Sequence, residues 1–61
     1  MPLVNIKLIE GRSDEQLKDL VKEVTDAVER TTKADRNAIS VVLEEMKPTH
    51  YGVGGVRKSD Q

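Results

Sequence analysis

The sequence predicts an α+β fold, a βαβ unit of two parallel strands joined by one helix and followed by a short hairpin. Two segments have apolar residues that alternate with polar ones, which is typical of strands. The segment between them has apolar residues at steps of three and four, which is typical of an amphipathic helix. A crossover helix between two strands is typical of a parallel pair, so these two strands are predicted to be parallel.

The first strand is predicted close to the amino terminus. Val4, Ile6 and Leu8 alternate with polar residues and form one apolar face, while Leu3 and Ile9 add apolar surface to the other face. A Glu-Gly-Arg segment then ends the alternation.

A helix of about five turns is predicted to follow Ser13. Ser13 lies three residues before Gln16, which is the spacing of a capping box. Acid–base pairs four residues apart, among them Asp26/Arg30 and Glu29/Lys33, predict a solvated outer face. The predicted inner face consists of Leu17, Leu20, Val21, Val24, Ala27, Val28 and Thr31.

The second strand is predicted over 38–46, after a polar connection. Its apolar residues Ile39, Val41 and Leu43 alternate, and Pro48 follows its end. Residues 50–57 contain three glycines, so a loop with a short hairpin is expected there.

The length of the chain indicates an oligomer. A chain of 61 residues buries only about 60% of its unfolded surface, and there is no cysteine to form a disulfide or a thiolate metal site. Both strands carry apolar residues on both faces, whereas one helix covers only one face. We therefore expect other copies of the chain to cover the second face.

The charge balance and hydropathy exclude several classes of partner. Ten basic residues nearly balance eleven acidic ones, which argues against a nucleic-acid partner. No apolar run reaches the ~18 residues of a membrane span, and no secretory signal is recognisable. We expect a cytoplasmic protein without a membrane partner, and a single histidine makes a metal site unexpected.

Pro2 has the most direct chemical implication. If Met1 is removed, the prolyl nitrogen becomes a terminal secondary amine, and an α-amino group has a pKa near ~8. Burial disfavours the charged amine and lowers that pKa, which would make the nitrogen a base near neutral pH. The alternative is that Pro2 only starts the first strand.

Several segments together resemble the 4-oxalocrotonate tautomerase family. They are Pro2 at the start of a strand, the run Leu8-Ile9-Glu10-Gly11-Arg12-Ser13-Asp14-Glu15-Gln16, and Glu45-Met46 with His50-Tyr51-Gly52-Val53-Gly54-Gly55. The resemblance covers nearly the whole chain, so residues 1–61 are expected to form a single tautomerase-like domain. It implies a βαβ protomer, a homohexamer, and cofactor-independent keto–enol proton transfer on enols or unsaturated 2-oxo acids.

The resemblance also implies a role for each candidate site residue. Pro2 would be the general acid and base, Arg12 would bind a substrate carboxylate, and Tyr51 would form an apolar wall of the pocket. Ser40 stands where the family has a second arginine, and it supplies a hydrogen bond but no charge. A charge-assisted bond is about twice as strong as a neutral one. We therefore expect a different or weaker tautomerase, acting on a monocarboxylate.

Other interpretations stay open at this point. Arg36 or Arg57 would be candidates to replace the missing arginine, and His50 is expected to be a surface or interface residue rather than a catalyst. A non-catalytic oligomeric binding or structural protein on the same scaffold is one alternative function. A related amino-terminal-proline dehalogenase or decarboxylase is another.

Overall fold

Two parallel strands form the only sheet long enough to organise the described part of the chain. The computed structural model describes residues 2–61, with β1 at Leu3–Ile9 and β2 at Ser40–Met46. The strands pair in parallel over their full length, first residue opposite first residue. Helix α1, at Asp14–Thr32, connects them. The predicted βαβ arrangement is therefore confirmed, and both strands end at the same edge of the sheet.

Helix α1 starts where the capping box predicts. The Gln16 amide donates to the Ser13 hydroxyl oxygen at 3.2 Å, and the Ser13 amide donates to the Gln16 side-chain oxygen at 2.9 Å. The helix ends at Lys33, which has φ 63° and donates its amide to the Glu29 carbonyl at 3.0 Å. The left-handed residue satisfies one of the carbonyls left open at a helix end.

The second strand starts later than the sequence pattern predicts. Residues Arg36–Ala38 form a 3-10 turn capped by Asp35, whose carboxylate accepts the Asn37 amide at 3.2 Å. Side-chain bonds of this kind compete with strand pairing. The prediction that β2 begins at residue 38 is therefore wrong by two residues, and its end at residue 46 is confirmed.

The two faces of the sheet differ in what covers them. The face that carries Val4, Ile6, Val41 and Leu43 is half-buried and lies on the side of α1. On the other face Leu3 is 68% exposed and Val42 is 42% exposed. One helix covers one face, as the sequence predicts.

A short antiparallel hairpin follows the sheet. It consists of β3 at Gly52–Val53 and β4 at Val56–Arg57. Gly54 and Gly55 have φ 63° and 88°, and two consecutive positive angles are those of a type I′ turn, which matches the twist of a hairpin. The predicted short hairpin is confirmed, and its second strand packs against the 3-10 turn at Pro48–His50 that precedes it.

The isolated protomer is extended and has no closed core. None of residues 2–61 is fully buried. The radius of gyration is 14.4 Å, against about 10.5 Å expected for a globule of this length. The accessible surface is 4704 Å², whereas about 4000 Å² is usual for this mass. No helix within the described residues is both long and apolar enough to cross a bilayer.

Candidate active site

Pro2 and Ser40 lie together at the amino-terminal edge of the sheet. The Ser40 amide donates to the Pro2 carbonyl at 3.0 Å. Pro2 directly precedes β1, and Ser40 is the first residue of β2. Pro2 is half-buried, and Ser40 is exposed on the face that α1 leaves uncovered. The predicted removal of Met1 concerns a residue outside those that the structure describes.

Arg12 lies in the loop that joins β1 to α1. Its Nη1 donates to the Ile9 carbonyl at 2.7 Å. The loop is tied to the neighbouring strand, because the Glu10 amide donates to the Met46 carbonyl at 2.9 Å. Within residues 2–61, Arg12 makes no ion pair with a carboxylate. Its positive charge is therefore not paired with a carboxylate among the described residues.

Arg12 and Pro2 lie at opposite edges of the sheet. Pro2 precedes the first residue of β1, and Arg12 follows the last residue by three positions. A seven-residue strand spans about 20 Å from its first to its last residue. A small carboxylate cannot contact both residues of one chain.

Tyr51 follows the carboxyl end of β2, at the same edge that the Arg12 loop leaves. Tyr51 is 41% exposed, and its carbonyl accepts the Lys58 amide at 2.8 Å. His50, next to it, is also exposed. The described residues of a single chain enclose no pocket. One chain therefore brings Pro2 and Ser40 together, but does not bring Arg12 or Tyr51 to them.

The two arginines considered as replacements at Ser40 are both held by carboxylates. Arg36 Nη1 contacts Asp26 Oδ1 at 2.8 Å and Glu29 Oε1 at 2.9 Å. Arg57 Nε contacts Asp60 Oδ2 at 2.9 Å. Neither guanidinium is available as an unpaired cation in this arrangement.

Asp26 and Glu29 therefore have partners other than those predicted from helical spacing. Asp26 binds Lys22 at 2.9 Å and Arg36, not Arg30, and Glu29 binds Arg36, not Lys33. The hydrogen bond from Lys22, then that from Arg36, lowers the pKa of Asp26 to about 2. The i,i+4 prediction missed Arg36 because that residue lies beyond the end of the helix.

Within the part of the chain that the structure describes, no group of three or more His, Cys, Asp or Glu side chains is close enough to hold an ion.

Two backbone features of the Arg12 loop were not predicted as parts of the site. Gly11 has φ 132°, a conformation that L-residues rarely adopt, and the Ile9 carbonyl accepts a bond from Arg12. The sequence feature that could have indicated the unusual φ is the glycine directly before Arg12, between a predicted strand and a predicted N-cap.

Comparison with known proteins places the chain in a family. The family model described as "Tautomerase enzyme" matches residues 2–61. A "Probable tautomerase" of Staphylococcus aureus (strain Mu50) is 79% identical over 61 residues, which is 100% of both chains. The crystal structure of YwhB, a homologue of 4-oxalocrotonate tautomerase, superposes with a TM-score of 0.95 at 50% identity, over 98% of each chain.

A more distant relative of known structure is a heterohexamer. The heterohexamer 4-oxalocrotonate tautomerase of Chloroflexus aurantiacus has a TM-score of 0.92 at 30% identity, over 98% of this chain and 97% of that one. The fold and the sequence agree over essentially the full length of each relative. This chain therefore belongs to the tautomerase family, a family of isomerase enzymes.

Proposed function

We propose that the protein is a cytoplasmic, cofactor-independent tautomerase that ketonises enols or unsaturated 2-oxo acids, with Pro2 as general acid and base after loss of Met1. The observation that carries this proposal is the bond from the Ser40 amide to the Pro2 carbonyl at 3.0 Å. This bond fixes the residue that would bear the terminal amine at the edge of the sheet. Membership of the tautomerase family supports the reaction type.

The proposed chemistry is a proton shuttle. The neutral prolyl nitrogen takes the proton of the enol hydroxyl, the oxygen becomes a carbonyl as the double bond shifts, and the prolyl ammonium returns the proton to carbon. A base works best when its pKa is close to the working pH. A terminal amine starts near pKa ~8, and desolvation in a closed site would bring that pKa closer to neutral.

We propose Arg12 as the single cation of the pocket. It is unpaired with any carboxylate in residues 2–61, whereas Arg36 and Arg57 are both engaged. With Ser40 supplying only neutral donors, one substrate carboxylate is matched by charge and a second one is not. The favoured substrate is therefore a monocarboxylate.

The site is proposed to form between chains of a homohexamer, with Tyr51 closing its apolar side. Pro2 and Arg12 of one chain are separated by the length of β1, about 20 Å, so a second copy must supply the arginine. The exposed sheet face and the large radius of gyration support assembly. The heterohexamer of the Chloroflexus relative provides a precedent.

The decisive experiment compares chains that differ only at the amino terminus. Intact mass first separates protein that has lost Met1 from protein that retains it. Ketonisation of a 2-oxo monocarboxylate enol, followed by ultraviolet absorbance, should fall about 100-fold or more when the terminus is blocked, because general acid–base catalysis contributes about that much. Pro2→Ala leaves a primary amine and should keep part of the activity. Full activity with a blocked terminus would assign the chemistry to another group.

A further inference from the structure

We infer that Gly11 and the Ile9 carbonyl are positioning groups for Arg12, which together hold its guanidinium in the orientation that a substrate carboxylate needs. This inference rests on the proposed function of Arg12 as the carboxylate-binding residue. It adds a reason why that side chain is oriented before substrate arrives, and it assigns a role to two groups that do not touch substrate.

The loop that carries Arg12 is fixed on both sides. On the strand side, the Glu10 amide donates to the Met46 carbonyl at 2.9 Å. On the helix side, the Ser13 amide donates to the Gln16 side-chain oxygen at 2.9 Å, as part of the capping box. Only Gly11 and Arg12 lie between these anchors, so the backbone angles of Gly11 determine where Arg12 starts.

Gly11 is required for conformation rather than for space. Its φ is 132°, and a Cβ added there would meet no atom within 4 Å. An alanine would therefore cause no collision, but it would disfavour that φ and rotate the backbone between two fixed anchors. The rotation would move Arg12 while leaving the Ile9 carbonyl in place.

The bond to Ile9 leaves one edge of the guanidinium available. Nη1 donates to the Ile9 carbonyl at 2.7 Å, and in residues 2–61 the Nε and Nη2 atoms of Arg12 have no acceptor. The edge formed by Nε and Nη2 has the fork geometry that binds a carboxylate through two parallel bonds. A side chain already held by a backbone carbonyl loses less freedom when substrate binds.

A double-mutant cycle on the assembled enzyme tests this coupling. Arg12→Ala should raise KM for the monocarboxylate enol. Gly11→Ala should raise KM about fivefold or more, which is a typical size for coupled neighbours, and should change kcat much less. In the Arg12→Ala background, Gly11→Ala should leave KM unchanged, because its effect passes through the arginine.

A control separates positioning from general damage. Lys33→Val places a β-branched residue at φ 63°, at the other end of α1, and so adds backbone strain away from the site. It should lower the thermal midpoint without changing KM. If Gly11→Ala does not fold, Arg12→Lys provides the second test. Lysine keeps the charge but lacks the planar fork, so KM should rise nearly as much as in Arg12→Ala.

Each unexpected KM result would overturn a different part of the argument. If Arg12→Ala leaves KM unchanged, the proposed role of Arg12 is wrong, and the inference falls with it. If Arg12→Ala raises KM but Gly11→Ala does not, or if the Gly11→Ala effect persists without the arginine, only the positioning inference is overturned. A wild-type KM in Arg12→Lys would likewise overturn the positioning inference, because a flexible ammonium would then bind the carboxylate as well as the oriented fork does.

Discussion

Ser40 takes part in the proposed site through two chemically different groups. Its backbone amide holds the Pro2 carbonyl at 3.0 Å, and this bond survives any side-chain replacement other than proline. Its hydroxyl is the only polar group that the side chain offers to substrate, and it carries no charge. The position can therefore be changed to test substrate charge without detaching Pro2 from the sheet.

Ser40→Arg should raise kcat on a dicarboxylate dienol by about 10-fold or more. A charged donor near the reacting oxygen stabilises the charge that develops there, and losing one such donor costs ~100-fold in other enzymes. Ser40 is exposed in the isolated chain, so no contact among residues 2–61 blocks the longer side chain. Ser40→Met, of similar length without charge, is the matched control, and stopped-flow absorbance gives kcat for both. Equal gains in the two variants would show that bulk, not charge, is responsible.

Helix α1 is linked to the turn before β2 by charge. Arg36, in the 3-10 turn, contacts both Asp26 and Glu29 on the last two turns of the helix. Asp26 is about one-third exposed, and exposed ion pairs contribute little individually. The network nevertheless connects the end of α1 to the 3-10 turn that precedes β2.

This link should weaken as the pH falls below about 4. The pKa of Asp26 is lowered to about 2, first by the bond from Lys22 and then by that from Arg36. A lowered pKa means that the stabilisation is fully present above the ordinary value of 3.8 and is lost as the pH approaches 2. Asp26→Asn should therefore lower the thermal midpoint at pH 6, by no more than about 5 °C, and its difference from wild type should shrink as the pH falls through 2.

The measurement of thermal midpoints at pH 6 and pH 2 needs a control acid on the same helix. Asp19 forms no ion pair in the part of the chain that the structure describes. Asp19→Asn should leave the midpoint unchanged at both pH values. A difference between wild type and Asp26→Asn that stays constant from pH 6 to pH 2 would contradict the assigned ion pairs.

The sequence predicts those elements whose signals are local. The alternation at Val4, Ile6 and Leu8 predicts β1, and the Ser13–Gln16 spacing predicts the start of α1, because neighbouring residues decide both. The start of β2 was predicted too early, since an apolar residue in the 3-10 turn extends the alternation. Arg36 was missed as a partner of Asp26, ten positions away, because helical spacing says nothing about residues beyond the helix.

The candidate site is only partly predictable for the same reason. The resemblance implies that Pro2 and Arg12 are site residues, but neither their separation nor the φ of Gly11 follows from residue type. The separation depends on which edge of the sheet each residue occupies, and hence on the parallel register of β1 and β2. Sequence alone therefore predicts which residues are candidates for this site, but not how far apart they lie or how they are oriented.

At the scale of the whole molecule, catalysis and assembly should be inseparable. A protomer with no fully buried residue among 2–61 has little to stabilise it alone. In the proposed site Pro2 and Arg12 come from different chains, so a monomer would lack the complete site even if it stayed folded. The midpoint of thermal unfolding should therefore rise with protein concentration, as it does for obligate oligomers.

Val42→Asp should break up the assembly and abolish activity at the same protein concentration. Val42 lies on the uncovered sheet face, where it is 42% exposed and pairs with Asn5. Glu44 lies two residues further along the same strand and face, and its carboxylate accepts a bond from Asn5 at 2.6 Å. A second acid beside it would have to be buried when another copy covers this face, and an unpaired buried charge is strongly unfavourable.

Val42→Thr, of the same shape without a charge, should keep most of the assembly. Sedimentation velocity at micromolar concentration should show no monomer for wild type and small species for Val42→Asp. A folded and active wild-type species of 6.8 kDa would contradict both the assembly and the shared site.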